Sequence, residues 1–203
     1  MGRTAEVERI TKETSITMKL DLDGRGEARL DYPIGFMVHM LTIFAKHGMF
    51  DIEIKAKGDL EVDQHHLVED TGIVLGQCFS KALGEKRGIR RVGSCCFPMD
   101  ETLARAAVDI SGRPFLFSAM EYPESPLEAA EGIPGFQTDT IQDFWQGFVS
   151  SAGITLHLDI LRGRSIHHKI EALFKAAARA LREACEIDPA APELIPSTKG
   201  IIA

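Results

Sequence analysis

Two five-residue cassettes, His65-His66-Leu67-Val68-Glu69 and His167-His168-Lys169-Ile170-Glu171, constrain this chain more than anything else in it. Each stands at the start of a long run with helical periodicity. On a helix, the first histidine and the glutamate four places later share a face. The second histidine is turned away from the first by about 100°. One cassette therefore offers ligands in two directions, and two cassettes in one chain look like a paired metal site built by duplication.

The surroundings repeat as well. A helix opens at Pro33-Ile34-Gly35 with Phe36, Met40, Leu41, Phe44 and Ala45 on its apolar side, and Gly48 is its expected C-terminal cap. Phe50 to Lys57 alternates as a half-buried strand, Gly58-Asp59 turns the chain, and a helix runs from about Gln64 to Leu83. Further on, Thr138 to Ala152 reads as a helix with Asp139 as its cap, Ile154 to Ile160 as a strand, and His167 to Glu186 as the last helix. From Gly48 to His65 is 17 residues and from Gly153 to His167 is 14, so the two runs match with a gap of three. Thr14 to Leu22 and Glu27 to Tyr32 read as strands joined by the turn Asp23-Gly24-Arg25-Gly26, hence as a hairpin. Val92 to Met99, Leu103 to Ile110 and Pro114 to Ala119 are the strands of the second part, and Met120 to Phe136, with Pro123, Pro126 and Pro134, reads as a loop. The expected fold is α+β: an internally duplicated two-layer sandwich, each half a mainly antiparallel four-stranded sheet with two helices on one face. The halves would span about 3–88 and 89–188 of a single domain, with a tail over 189–203.

Totals exclude some functions. A formal charge of −7 over 203 residues lacks the basic footprint of nucleic-acid binding but leaves room for a small anion held by a few cations. No apolar run approaches a bilayer span, and Met1-Gly2-Arg3-Thr4 lacks a signal-peptide core. Cys78, Cys95, Cys96 and Cys185 form no Cys-x-x-Cys unit, which suits buried free thiols in a reducing cytoplasm.

The absence of cysteine beside the histidines argues against structural zinc. Imidazole with carboxylate suits a six-coordinate ion such as manganese. His39 and His157 are further candidates. His157 lies between Leu156 and Leu158, where a satisfied core histidine is the default, and the nearby cassette raises the ligand reading to equal standing. Eight donors, His39, His65, His66, Glu69, His157, His167, His168 and Glu171, would supply about two such ions and leave positions for substrate. If one chain cannot bring both cassettes together, the sites lie between subunits. A second set is basic. Arg91 follows Gly88-Ile89-Arg90, Arg113 lies in Ser111-Gly112-Arg113-Pro114, and the tail carries Pro196-Ser197-Thr198-Lys199-Gly200. Arginine, lysine and hydroxyls are the groups that recognise phosphate. The tail, ending in Ile201-Ile202, reads as an arm that docks.

At this point the residues carry a resemblance. Thr11-Lys12-Glu13-Thr14, Ile34-Gly35-Phe36, His39-Met40-Leu41, Ala45-Lys46-His47-Gly48 and Lys57-Gly58-Asp59 match in order, followed by His65-His66 through Glu69-Asp70-Thr71. Lys86-Arg87-Gly88-Ile89-Arg90-Arg91, Pro98-Met99-Asp100-Glu101, Asp109-Ile110-Ser111-Gly112-Arg113-Pro114, Thr155-Leu156-His157, His167-His168 through Glu171-Ala172 and Pro196-Ser197-Thr198-Lys199-Gly200 continue the match. Over nearly its whole length the chain resembles imidazoleglycerol-phosphate dehydratase of histidine biosynthesis. The resemblance implies a hydro-lyase of the cytoplasm, assembled from 24 subunits, with two Mn(II) ions per active site held at subunit interfaces. It implies the eight residues above as metal ligands. It puts Arg91, Arg113, Lys175, Ser197, Thr198 and Lys199 on phosphate- or substrate-binding positions together with His39, and Glu13 on a substrate-contacting acid/base position, with Glu69 and Glu171 as further catalytic carboxylates.

The implied reaction converts D-erythro-imidazoleglycerol phosphate to imidazole acetol phosphate. Two metals on the ring nitrogens would stabilise an imidazolate. That ring can expel the neighbouring hydroxyl to give a diazafulvene-like intermediate, and proton loss from the next carbon then yields an enol that tautomerises to the ketone. One position departs from the pattern: the family has Asp before the first-helix histidine, and this chain has Val38. The alternative reading is a metal-assembled oligomeric relative that has lost or altered the activity.

Overall fold

The computed structural model describes residues 2–119 and 132–202. The chain runs β1 (Thr4–Ile10), β2 (Thr14–Asp21), β3 (Ala28–Asp31), α1 (Gly35–Gly48), β4 (Asp51–Gly58) and α2 (His65–Leu83). It continues β5 (Val92–Met99), β6 (Thr102–Asp109), β7 (Phe115–Ala119), α3 (Thr140–Ala152), β8 (Thr155–Arg162) and α4 (Ile166–Cys185). Two four-stranded sheets follow one plan, β1-β2-β4-β3 and β5-β6-β8-β7. In each, two antiparallel pairings are followed by one parallel pairing, β3 with β4 and β7 with β8. The duplicated α+β sandwich expected from the sequence is the observed fold.

Alternation explains which face of each strand is covered. Ile16, Met18 and Leu20 of β2 and Ile52, Ile54 and Ala56 of β4 are buried, while Lys19, Glu53 and Lys55 face out. In the second sheet Ala104, Ala106 and Val108 face Leu156, Leu158 and Ile160 neighbours on the same covered side. The helices then pack across the halves, α1 with α4 and α2 with α3. Rings from both halves interlock between them: Phe44 and Phe79 meet Phe148, and Trp145 meets Phe44, Phe148 and Phe174. The α2–α3 contact is backbone-close. A Cβ on Gly72 would stand 2.1 Å from the Phe144 carbonyl oxygen, and one on Gly76 would stand 2.4 Å from that of Phe148. Among the described residues no helix is long and apolar enough to cross a membrane.

Three local expectations are corrected. Strand β1 is absent from the sequence reading: it is an edge strand whose inward side carries only Ala5, Val7 and Arg9, with Val7 alone fully buried, so its alternation is short and weakly apolar. The hairpin is therefore β1–β2 through Thr11-Lys12-Glu13, not β2–β3. The turn at Asp23–Gly26 instead wraps the start of β4, where Asp51 Oδ1 accepts the N–H groups of Arg25 (2.7 Å) and Glu27 (2.8 Å). The crossover through α1 then lays β3 parallel to β4. At the end of α1, Gly48 is the last helical residue, and Met49 takes the left-handed conformation with φ 57°. Gly48 is needed for room, because a Cβ there would lie 2.3 Å from the Phe50 ring. Asp139 does stand at the N-cap of α3, but its side chain makes no cap hydrogen bond. All four cysteines are free; Cys78 and Cys185 are buried as expected, whereas Cys96 is exposed on edge strand β5. The loop read over Met120 to Phe136 lies mostly outside the described residues; Phe136 itself is buried and rests on Phe36 at 4.7 Å.

Candidate metal centre and phosphate pocket

Crossing the halves brings α1 beside the start of α4, and with it His39 beside the second cassette. His39 Nε2 lies 3.2 Å and His167 Nε2 3.1 Å from the same atom, Glu171 Oε2. The two imidazoles and the carboxylate are the one group of three among the described residues that joins two histidines to an acid. Ligands at right angles around an ion with bonds of about 2.1–2.2 Å stand about 3 Å apart, so the observed spacings suit a shared cation. Glu171 is nearly buried, and its other oxygen takes Lys175 Nζ at 2.7 Å. Burial pushes this carboxyl up, but the hydrogen bonds and charges of Lys175 and His39 more than offset that, so its pKa sits below the usual carboxylate value. The Lys175 ammonium also lies 5.3 Å above the Phe97 ring.

His168 points elsewhere, as the helical turn requires. Its Nδ1 lies 2.9 Å from Glu101 Oε2. Backbone N–H groups of Ser165 and Arg164 bond Glu101 Oε1, and together with His168 they hold this carboxyl down at about 2. Ser165 caps α4, its Oγ accepting the His168 N–H.

The first cassette is built in parallel. His66 Nδ1 lies 3.1 Å from Asp59 Oδ2. That hydrogen bond is the main reason its pKa is raised above the ordinary histidine value, with the charge of Glu13 adding to it against partial desolvation. Glu13 is exposed at the β1–β2 turn, and its carbonyl accepts the Asp59 N–H at 3.1 Å, which brings the turn to this corner. His65 turns toward α3, with Nδ1 3.2 Å from Asp143 and Nε2 3.8 Å from Glu69. A reciprocal amide pair secures the helix start: the Gln64 N–H donates to Gln137 Oε1 (2.7 Å) and the Gln137 N–H to Gln64 Oε1 (3.1 Å).

His157 is not a core residue. Its neighbours Leu156 and Leu158 are buried, but strand alternation turns the imidazole outward, stacked on exposed Phe117 at 5.6 Å. The eight candidate ligands thus form no single cluster. His65, His66, Glu69, His157 and His168 stand apart from the His39–His167–Glu171 group.

The basic set does converge. Arg91, Ser111, Arg113, Ser197, Thr198, Lys199, Ile201 and Ile202 line a cavity of about 540 Å³. The tail docks to make it: Gly88 N–H donates to Leu194 O (2.7 Å) and Arg91 Nη1 to Pro196 O (2.8 Å). Asp109 grips the Arg91 guanidinium through Nε (2.7 Å) and Nη2 (3.0 Å), while Arg113 stays exposed. Lys175 is not part of this wall. Thr155 donates to the Arg113 carbonyl at 3.0 Å and shares its strand face with His157, about 6–7 Å further along β8. Sequence reasoning missed Asp59, Glu101, Asp143 and Asp109 as partners. Only the turn signal at Gly58-Asp59 could have pointed to one of them; the others act across 18 residues or more.

Val38, beside His39, packs partly buried against the core and offers the imidazole no polar side-chain atom.

Comparison with known proteins points to one family and one fold. The family model described as imidazoleglycerol-phosphate dehydratase matches residues 32–181. The imidazoleglycerol-phosphate dehydratase of Gluconacetobacter diazotrophicus is 52% identical over 201 residues, covering 99% of this chain and 98% of that one. The protein of the same name from Thermoanaerobacter pseudethanolicus is 52% identical over 200 residues, covering 98% of this chain and all of that one (100%). Two crystal structures are also similar. The imidazoleglycerol-phosphate dehydratase of Staphylococcus aureus superposes with TM-score 0.79 at 35% identity, covering 91% of this chain and 99% of that chain. The Pyrococcus furiosus enzyme in complex with (S)-C348 superposes with TM-score 0.80 at 32% identity, covering 96% of this chain and 99% of that chain.

Proposed function

The chain belongs to the imidazoleglycerol-phosphate dehydratase family, and from that premise we propose that it is a manganese-dependent hydro-lyase whose sites are completed between subunits. The family's reaction is the dehydration of imidazoleglycerol phosphate in histidine biosynthesis. The observation that carries the metal reading is the convergence of His39 and His167 on one oxygen of Glu171. Those three residues, with His65, His66, Glu69, His157 and His168, would hold two Mn(II) ions, which when bound would supply Lewis acidity to the substrate's imidazole.

The chain's own residues divide the remaining work. Arg113, Lys199, Ser197 and Thr198 hold the phosphate, with Arg91 kept in place by Asp109. Dehydration breaks a C–O and a C–H bond on neighbouring carbons. The hydroxyl leaves as water, and the enol left behind becomes a ketone when a proton moves to carbon. That needs a carboxylate able to take and return protons. Glu171 is engaged by His39, His167 and Lys175, and Glu69 sits beside His65. Exposed Glu13, held near His66, is the acid/base. Among the described residues five of the eight ligands stand apart from the His39–His167–Glu171 group, which supports completion of the sites between subunits of a homo-oligomer, of 24 subunits in this reading. The acidic balance of the chain supports the absence of a nucleic-acid partner, and a cytoplasmic location is part of the same proposal.

The test is an assay of the purified, manganese-loaded chain for imidazole acetol phosphate. Turnover should vanish on chelation and return with Mn(II); a fully loaded protein without turnover would overturn the proposal. Arg113→Ala should raise KM by about 10–100-fold, the worth of one charge-assisted hydrogen bond, with a smaller change in kcat. An unchanged KM would remove Arg113 from the phosphate site.

A further inference from the structure

The β1–β2 and β5–β6 turns occupy equivalent places in the two sheets, and each brings a Glu-Thr pair to the next strand: Glu13-Thr14 before β2 and Glu101-Thr102 before β6. Both threonines are buried, Thr14 at 3% and Thr102 at 1% exposure, so the glutamates are true counterparts. Their duties differ. Glu101 accepts Ser165 N–H (2.9 Å) and Arg164 N–H (3.3 Å) on one oxygen and His168 Nδ1 (2.9 Å) on the other. For the Glu13 carboxylate, no hydrogen bond or ion pair exists among the described residues; only its backbone is engaged. The equivalent service to His66 comes from Asp59, whose two oxygens lie 3.1 and 3.3 Å from Nδ1.

We propose that Asp59 and Glu101 are positioning residues that lock His66 and His168 with the proton on Nδ1 and Nε2 presented outward, and that Asp59, by taking this duty in the first half, frees Glu13. The inference rests on reading the two histidines as metal ligands. A carboxylate only accepts, so the Nδ1 facing it must carry the hydrogen, and the lone pair of the neutral ring is then on Nε2. Such a partner also fixes ring orientation and raises ligand basicity. The divergence has a visible origin. After Gly58 the first half has Asp59; after Gly163, the matching strand end, the second half has Arg164. A guanidinium has nothing with which to accept from His168. Glu101 supplies the missing acceptor from the neighbouring turn, whereas its counterpart Glu13 has no such claim on it.

The test uses Asp59→Ala and Glu101→Gln in the full chain, with Mn(II) affinity read by chelator competition and the urea midpoint of the metal-free protein read alongside. Gln at 101 keeps an oxygen for the Ser165 and Arg164 N–H groups but turns an amide N–H toward His168, which drives the imidazole proton to Nε2. Each variant should lose about 10–100-fold in affinity at one class of site with the metal-free midpoint unchanged. Glu13→Gln should bind Mn(II) as the wild type does while losing turnover. Wild-type affinity in Asp59→Ala and Glu101→Gln, or a lowered midpoint with affinity intact, would overturn the positioning role. Equal loss of affinity in Glu13→Gln would overturn the division of labour. A wild-type chain that takes up no Mn(II) fails the metal reading itself, which separates the two failures.

Discussion

Glu171→Gln is expected to leave the fold in place and to lower metal affinity, and turnover with it, by at least about 10–100-fold, the range for disturbing the groups that hold and orient a metal. The reason lies in its two oxygens. One receives His39 Nε2 and His167 Nε2, and the other receives Lys175 Nζ. A glutamine puts an N–H group at one of those positions. Turned toward Lys175 it stands donor against donor in a nearly buried place, and turned toward the imidazoles it puts a donor where a metal needs an oxygen. An unpaired buried donor costs about 1–3 kcal/mol, so some stability should go as well. Metal analysis decides the cause: the variant should lose manganese relative to the wild type. Full metal content with full turnover would remove Glu171 from the site.

Gly72→Ala should destabilise the chain by about 1–3 kcal/mol or more, the cost of overpacking a close contact. The added Cβ would meet backbone, the Phe144 carbonyl oxygen at 2.1 Å, and no side-chain rotation relieves that. Helices α2 and α3 must separate, which also displaces Asp143 from His65. Gly35→Ala is the matched control, because a Cβ there meets nothing within 4 Å. Urea unfolding should show a lower midpoint for the first variant only. Equal midpoints would mean that the two helices have room to spare.

How much of this was legible depended on the range of the interaction. The cassettes, the docking C-terminal arm and most strands are written in local patterns: period 2 in Ile52-Glu53-Ile54, helical spacing after His65 and His167. Strand β1 is not, because its alternation rests on Ala5 and Val7 alone and the next inward position is Arg9, too little apolar signal to stand out. The Asp23–Gly26 turn was recognised but misassigned, since what decides its partner is the Asp51 carboxylate, more than twenty residues on. For His157 the leucine neighbours left core and ligand readings level, although a strand sends neighbours to opposite faces and so turns this side chain outward. At the site, histidines announce themselves by type. Their carboxylate partners do not, because Glu101 looks like any turn glutamate until the fold brings it 67 positions along the chain to His168.

The crossing of helices between halves, α1 on α4 and α2 on α3, also bears on ancestry. A lone repeat unit would leave both of its helices bare on the side away from its sheet, including the glycine-lined face of α2. Standing alone, such a unit would have to bury those faces against a second copy, so an unfused precursor would have needed to pair. Fusion of the two genes replaced an encounter that dilution can undo with a tethered one, at an effective concentration set by the linker alone. Once tethered, the copies no longer had to be identical, and Arg164 and Asp59 could part ways.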